Sequence, residues 1–478
     1  MSSIDGFPKA TWPDYRAVWR WHFYASLFCM PLVIVLSVTG AIYLFKPQID
    51  RWTDRQYDNL PLSGIRAPIS AQVRAALDAQ PGSVPLAYEW PLNSIDASRI
   101  ILHHQGVATR VFVHPTTLDI LGSRPDSGGL ISQIRKLHGQ LGLGERGSLI
   151  VELAASWTMI MVLTGLFLWW PRSAKGWGGI IYPRLSKGSK LFRRDLHSVT
   201  GIWISLMVIF LLVTGLPWAT FWGNYFRTVR TVTGLTATEP NWTIGGSSTG
   251  EHAAHQTSEN HRRSTGEHAT SRIQTSSGAP RKDARIPTMP ADLTCFDRVA
   301  ATVAPLRLAH PASINPPTQG STTWIAKSDA QNRPLRVTLK VNGETGEILS
   351  REDFASRHWL DRLVSIGIAA HEGQLFGVAN QLLGLITALG LIVLCLSGTI
   401  LWWRRRQSGT LGAPRGLLSP RVSYGLLLVV FLLAVYLPLF GLSLLLVLVL
   451  ERVILVRIPT VRNWLGLYPA RHAEGAVP

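Results

Sequence analysis

Residues 21–40 read WHFYASLFCMPLVIVLSVTG and residues 196–215 read LHSVTGIWISLMVIFLLVTG. Each is an apolar run long enough to cross a bilayer core of about 30 Å. Each has a histidine 18 residues before a closing glycine, His22 before Gly40 and His197 before Gly215, with Thr39 and Thr214 also matched. A second pair of segments repeats in the same way. His138 precedes Trp169-Trp170 by 31 residues and His371 precedes Trp402-Trp403 by 31, and Thr164-Gly165 is matched by Ser397-Gly398. The chain therefore reads as a duplicated two-helix membrane unit that carries four histidines in two matched pairs.

Apolar stretches at about 21–45, 148–170, 198–222 and 375–403 supply the four core spans. The first lacks a small-residue cleavage site and is too long for a signal peptide's apolar region, so it reads as a retained anchor. Beyond Arg421 a further run, SYGLLLVVFLLAVYLPLFGLSLLLVLVL, is broken at Pro438 and Gly441, which predicts a helical hairpin and six membrane segments in all. A formal charge of +18 invites a nucleic-acid reading. The basic residues instead collect beside apolar runs, as membrane orientation requires, and no nucleic-acid partner is expected.

Arg16 and Arg20, then Arg172, Lys175, Arg184, Lys187, Lys190, Arg193 and Arg194, then Arg404, Arg405 and Arg406 mark three cytoplasmic segments. The expected order follows from them. A cytoplasmic N-terminus (1–20) leads to a first span (21–46), an external module (47–137), a helix start with the second span (138–171) and a basic loop (172–195). Then come a third span (196–222), a second external module (223–370), a fourth span (371–404), a loop (405–420), the hairpin (421–456) and a cytoplasmic tail (457–478). In a bacterium this is an inner-membrane protein with periplasmic domains.

The external segments also repeat. ATRVFVHPTTLDILGSRP (108–125) and PLRVTLKVNGETGEILSRED (334–353) both read as strand, turn and strand, and each follows an amphipathic helical pattern, at 69–82 and 293–305. Two small α+β modules are expected. Between 239 and 287 the composition turns to Ser, Thr, Gly, His and charge, which cannot build a core. His252, His255, His261 and His268 in that stretch read as a solvated linker.

A lone histidine at a membrane boundary is usually an interfacial polar residue. Repetition and topology argue for more here, because ionisable groups in a membrane are costly and tend to be functional. His22 and His197 both begin helices that leave the cytoplasm, whereas His138 and His371 precede helices that enter from outside. Each layer then offers two imidazoles from different helices, an axial ligand set for haem iron. Without C-x-x-C-H, the two haems would be b-type and non-covalent. Gly40, Gly165, Gly215 and Gly398 fit either close approach to a macrocycle or ordinary small-residue helix packing. Arg20, Arg193 and Arg194, with Arg135 and Lys136, are candidates for propionate pairing.

One distance is awkward. A straight helix from His138 to Trp169 would run roughly 46 Å, so the chain must bend, which Gly142, Gly144 and Gly147 permit. The same glycines spell G-L-G-E-R-G, but no strand precedes them and a membrane helix follows, so the dinucleotide fingerprint is rejected. Cys29, Cys295 and Cys395 form no disulfide framework.

RAVWRWHFYASLFCMPLVIVLSVTGAIYLFKPQID, KLHGQLGLG with TGLFLWWPR, RRDLHSVTGIW, and SIGIAAHEGQLFG with LSGTILWWRRR resemble the PepSY-associated transmembrane-helix family. The resemblance implies a polytopic α-helical membrane protein: four core transmembrane helices as a duplicated unit, a C-terminal hairpin and two periplasmic PepSY-like modules. It implies haem on His22, His197, His138 and His371. It also implies reduction of a ferric siderophore or ferric chelate; since the sequence has no dinucleotide site of its own, the electrons would come from a quinol or a cytoplasmic reductase. A homodimer is compatible with the sequence. Two readings compete with this one: a membrane-anchored regulatory protein whose PepSY-like modules bind a peptidase or envelope partner, and an accessory subunit of a metal or siderophore transporter.

Overall fold

The computed structural model describes residues 14–62, 64–126, 128–171, 176–235, 288–319, 321–414 and 424–467. The insertion at 239–287 with its four histidines, and Arg172, Lys175, Arg421 and Arg471, lie outside them. In chain order the α-helices are α1 (Tyr15–Leu44), α2 (Lys46–Asp54), α3 (Ile69–Ala79), α4 (Leu130–Gln140), α5 (Gly144–Trp169), α6 (Ser189–Gly215) and α7 (Thr220–Val232). They continue as α8 (Cys295–Val303), α9 (Trp359–His371), α10 (Val378–Arg405), α11 (Tyr424–Tyr436), α12 (Pro438–Leu450) and α13 (Pro459–Leu465). The strands are β1 (Val84–Glu89), β2 (Ser98–His104), β3 (Val107–Val113), β4 (Ile120–Pro125), β5 (Ala312–Asn315), β6 (Thr323–Ser328), β7 (Val337–Asn342) and β8 (Ile348–Asp353). Two compact units share them: Met1–Ile42, Lys136–Val229 and Leu382–Pro478 form the first, and Tyr43–Arg135 and Arg230–Gln381 the second.

The first unit holds the apolar helices. Among the described residues five are long and apolar enough to cross a membrane: Tyr15–Leu44, Gly144–Trp169, Ser189–Trp218, Val378–Arg405 and Pro438–Leu455. The expected C-terminal hairpin forms, and Gly441 sets its closeness, because a Cβ there would stand 2.9 Å from the Ala434 Cβ. Among the described residues its first arm is the shorter one: the 13 residues of α11 span about 20 Å at 1.5 Å per residue, less than a hydrocarbon core. Pro438 stops that arm, since proline supplies no N–H and crowds the preceding turn.

The break expected after His138 is present. Helix α4 ends at Gln140, and Leu141, Gly142 and Gly144, the first residue of α5, turn the chain with positive φ (51°, 71° and 62°). Gly147 lets the new helix start against the old one, because a Cβ there would lie 1.6 Å from the Gln140 carbonyl oxygen. The matched break in the second unit follows His371, with Gly373 (φ 72°) and Gly377 (φ 68°) between α9 and α10. A single 31-residue helix is thus avoided in both copies.

The second unit is built on one antiparallel sheet of eight strands in the order β4-β3-β2-β1-β5-β6-β7-β8. The two hairpins read from sequence are β3–β4 and β7–β8, and the two helical patterns are α3 and α8. The two modules share this one sheet. Strand β1 pairs with β5 through Tyr88–Ile314 and Glu89–Ser313, and the Trp90 N–H donates to the Ala312 carbonyl at 2.9 Å. Joining them removes two sheet edges that would otherwise carry unpaired backbone groups. It also merges the cores: Val73, Tyr88, Ile100 and Val111 share a buried cluster with Phe296, Ile314, Trp324 and Leu339. In the same unit Arg230 and Asp361, 2 % and 6 % exposed, form a two-pronged pair at 2.8 and 3.1 Å.

Candidate functional site

Three of the four singled-out histidines lie in the helical unit, and each is gripped in the same way. His22, on α1, places Nδ1 3.1 Å from the Met161 carbonyl oxygen and 3.1 Å from Thr164 Oγ1, both on α5. His197, on α6, places Nδ1 3.2 Å from the Leu394 carbonyl and 3.0 Å from Ser397 Oγ, both on α10. His138, on α4, places Nδ1 2.9 Å from Thr39 Oγ1 and also reaches the backbone of Leu36, both on α1.

Each hydroxyl also lies within hydrogen-bond distance of a carbonyl in its own helix. Thr164 donates to the carbonyls of Ile160 and Met161 at 2.8 and 3.0 Å. Thr39 donates to Val35 and Leu36 at 2.7 and 3.2 Å, and Ser397 to Leu394 at 3.1 Å. A carbonyl oxygen accepts only, so the nitrogen that meets it must be the donor. Each ring therefore carries its proton on Nδ1, which leaves an unprotonated Nε2, the atom a neutral imidazole offers a metal. Metal-binding histidines are commonly oriented by such a bond from the other ring nitrogen to a backbone carbonyl.

The glycine after each hydroxyl residue completes the grip. A Cβ at Gly40 would stand 3.1 Å from His138 Cε1, at Gly165 3.2 Å from His22 Cε1, and at Gly398 3.4 Å from His197 Cε1. Of the two roles weighed for these glycines, macrocycle approach or helix packing, the structure shows a third: room for the edge of an imidazole. A carbonyl, a hydroxyl three residues on and the glycine that follows form one clip, repeated three times in this unit. The repeated Thr-Gly and Ser-Gly pairs are its signal in the sequence; which histidine each pair meets is not encoded in spacing.

His22 and His197 lie on different helices, α1 and α6, and interact electrostatically. The clip on Gly40 and the His22 side chain share α1 and lie 18 residues apart, which is about 27 Å along the axis. His371 ends α9 in the second unit. There the turn that follows it is fixed by amide side chains: Asn332 Nδ2 donates to the Leu375 carbonyl at 3.2 Å, Asn380 Nδ2 to Ala370 at 2.9 Å, and Gln381 Nε2 to Leu44 at 2.9 Å. Arg333, 6 % exposed, sits in the same unit, and burial pushes its guanidinium down to about 10 against the opposing pull of Glu372.

Other expected roles fall differently. Arg20 donates to the carbonyls of Pro414 and Gly466 and lies over the Tyr24 ring, so its guanidinium braces the helix ends. Arg194 is 64 % exposed and 3.6 Å from Asp195. Cys29 and Cys395 are buried free thiols in one apolar cluster. Among the described residues no group of three or more His, Cys, Asp or Glu side chains forms a metal cage. Sequence reading missed Glu152. It is 3 % exposed within α5, and its two oxygens accept the Phe221 and Trp222 N–H groups at 3.0 Å each, capping α7.

Residues 19–405 match the family model described as the PepSY-associated TM region. The chain belongs to this family. No curated protein matches the chain. Together with the five long apolar helices among its described residues, membership makes this PepSY-associated protein a multi-pass membrane protein, and the eight-stranded sheet is the part of it that carries the repeated α+β modules.

Proposed function

We propose that this PepSY-associated protein is an inner-membrane dihaem electron conduit. One b-type haem would be held by His22 and His197 on the cytoplasmic side, and a second by His138 and His371 on the periplasmic side. What supports the reading above all is the threefold clip, which fixes ring orientation and tautomer so that Nε2 is left to ligate. The pairing of His138 with His371 rests on their matched 31-residue spacing to Trp169 and Trp402 in the sequence.

Haem bound at these histidines would supply a one-electron couple. The chain's own residues do the rest. Thr164 and Met161, Ser397 and Leu394, and Thr39 and Leu36 hold each imidazole and raise its basicity by accepting the Nδ1 proton bond. Gly165, Gly398 and Gly40 allow the ring edge to seat. The two clip levels, about 27 Å apart along α1, are matched to the two faces of the bilayer core. The net reaction proposed moves one electron from a quinol or a cytoplasmic reductase to a ferric siderophore or other ferric chelate, Fe(III) becoming the more weakly held Fe(II).

The deciding experiment is purification in mild detergent with reduced-minus-oxidised spectra and a haem-to-protein ratio. Two b-type haems per chain, with one lost in His138→Ala or His22→Ala, support the conduit. A haem-free preparation from haem-replete cells overturns it and favours a PepSY module that binds an envelope partner.

A further inference from the structure

The connection between α5 and α6 reads as a basic loop, yet its described part is held in place. Two indoles hold it. The Trp203 Nε1–H donates to the Ile181 carbonyl at 2.8 Å, and the Trp169 Nε1–H to the Ile180 carbonyl at 3.2 Å. Arg184 folds back on the fully buried Asp195, with Nε and Nη2 2.7 and 2.8 Å from its two oxygens and the Arg184 N–H at 3.2 Å. Gly179, at φ 81°, leaves the space that this guanidinium fills.

So fixed, the segment turns its apolar side chains outward. Trp177, Tyr182 and Leu185 are 67 %, 58 % and 77 % exposed. They continue the outward face of α6, where Trp203 and Leu206 are 65 % and 75 % exposed. A membrane helix shows such a face to hydrocarbon, and the Trp203–Ile181 bond sets the loop beside that face rather than over the helix end. Lys187, Lys190 and Arg194 are exposed just beyond it. The nearby carboxylate, Asp195, is buried and bonded to Arg184, so the exposed charge there is cationic.

The geometry points to a built pad for anionic phospholipid: Trp177, Tyr182 and Leu185 enter the acyl boundary while Lys187, Lys190 and Arg194 take headgroup phosphates. Aromatic side chains favour this depth, and long basic side chains reach up to the phosphates. An acidic protein would also suit the cations, but it would not explain apolar side chains aligned with the lipid face of α6.

The test uses the full chain with Leu185→Cys carrying an environment-sensitive fluorophore, since Cys29, Cys295 and Cys395 are buried; the unsubstituted chain measures background labelling. In vesicles of phosphatidylcholine and phosphatidylglycerol the emission should be blue-shifted, quenched by brominated acyl chains and protected from iodide. Retention of phosphatidylglycerol over phosphatidylcholine should fall about fivefold for each of Lys187→Gln, Lys190→Gln and Arg194→Gln at low salt. Water-like emission quenched by iodide overturns the pad and favours a soluble acidic partner at this surface. Equal retention of the two lipids by the unsubstituted protein overturns the headgroup assignment.

Discussion

Gly165 faces His22 so closely that one added carbon would stand 3.2 Å from the ring's Cε1. The neighbour must then give by a few tenths of an ångström, and His22 cannot do so without stretching its 3.1 Å bonds to Met161 and Thr164. Gly40, Gly165 and Gly398 form a graded series, at 3.1, 3.2 and 3.4 Å. Alanine should therefore be worst tolerated at 40, nearly as badly at 165 and best at 398, within the ~1–3 kcal/mol typical of overpacking. Thermal unfolding in detergent with haem stoichiometry reads both effects; an inverted order would break the clip account.

The hydroxyls are separable from the carbonyls. Ser397→Ala removes one of the two acceptors at His197 Nδ1 and leaves the Leu394 carbonyl 3.2 Å away, so the tautomer should survive. On the proposed dihaem reading, haem affinity at that level should fall about tenfold, the low end for lost outer-shell partners, and Ser397→Thr should restore it. Titration of the haem-free protein with haem measures both. An unchanged affinity in Ser397→Ala would reduce the hydroxyl to a helix-internal bond.

The sheet seam makes a prediction about cooperativity. Ile314 is fully buried opposite Tyr88 in the core that both modules share. Ile314→Ala should cost about 2–5 kcal/mol, and hydrogen exchange should speed up in β1–β3 as well as in β5–β7. Faster exchange confined to the strands after residue 312 would mean that the two halves open independently.

How much of this was legible in the sequence depends on range. Four spans and the hairpins follow from periodicity and repeated spacing, because local pattern fixes local structure. The β1–β5 seam joins residues more than two hundred positions apart, and no local signal announces it. Likewise, Thr39, Thr164 and Ser397 were visible as matched positions, but spacing does not say which helix faces which, so their bonds to His138, His22 and His197 were not. Arg184 reads as one more orienting cation; only the buried position of Asp195 reveals it as a loop fastener. The short α11 was hidden because hydropathy reports apolar length across Pro438 without showing where the helix stops.

The second unit should weaken in mild acid. Burial holds the imidazoles of His310 and His103 below the ordinary value, so the unfolded chain binds protons that the folded one resists. Their contribution is complete above about pH 6.5, the unfolded value, and is lost as pH falls below it. Asp58, raised by burial, acts in the opposite sense and only near carboxylate pH. Thermal unfolding of the sheet should therefore drop between pH 7 and 5, and His310→Gln should flatten that drop. A flat profile in the unsubstituted protein would remove the histidines from the account.

Glu152 offers the sharpest single-atom test inside the helical unit. Its carboxylate oxygens each accept one N–H, from Phe221 and Trp222, at the start of α7. The first turn of a helix has donors with no internal partner and a positive dipole end, so an anion suits it there. Glu152→Gln keeps the shape but turns an NH2 toward one of those N–H groups, leaving a buried donor unmet at about 1–3 kcal/mol. Glu152→Asp shortens the reach and should also lose one bond. If the carboxylate serves α7 alone, thermal stability should fall in both variants, with faster hydrogen exchange at Phe221 and Trp222, while the spectrum of the haem proposed at His22 and His197 stays intact. A loss of that spectrum with α7 still protected would instead tie Glu152 to the histidine layer and overturn the capping role.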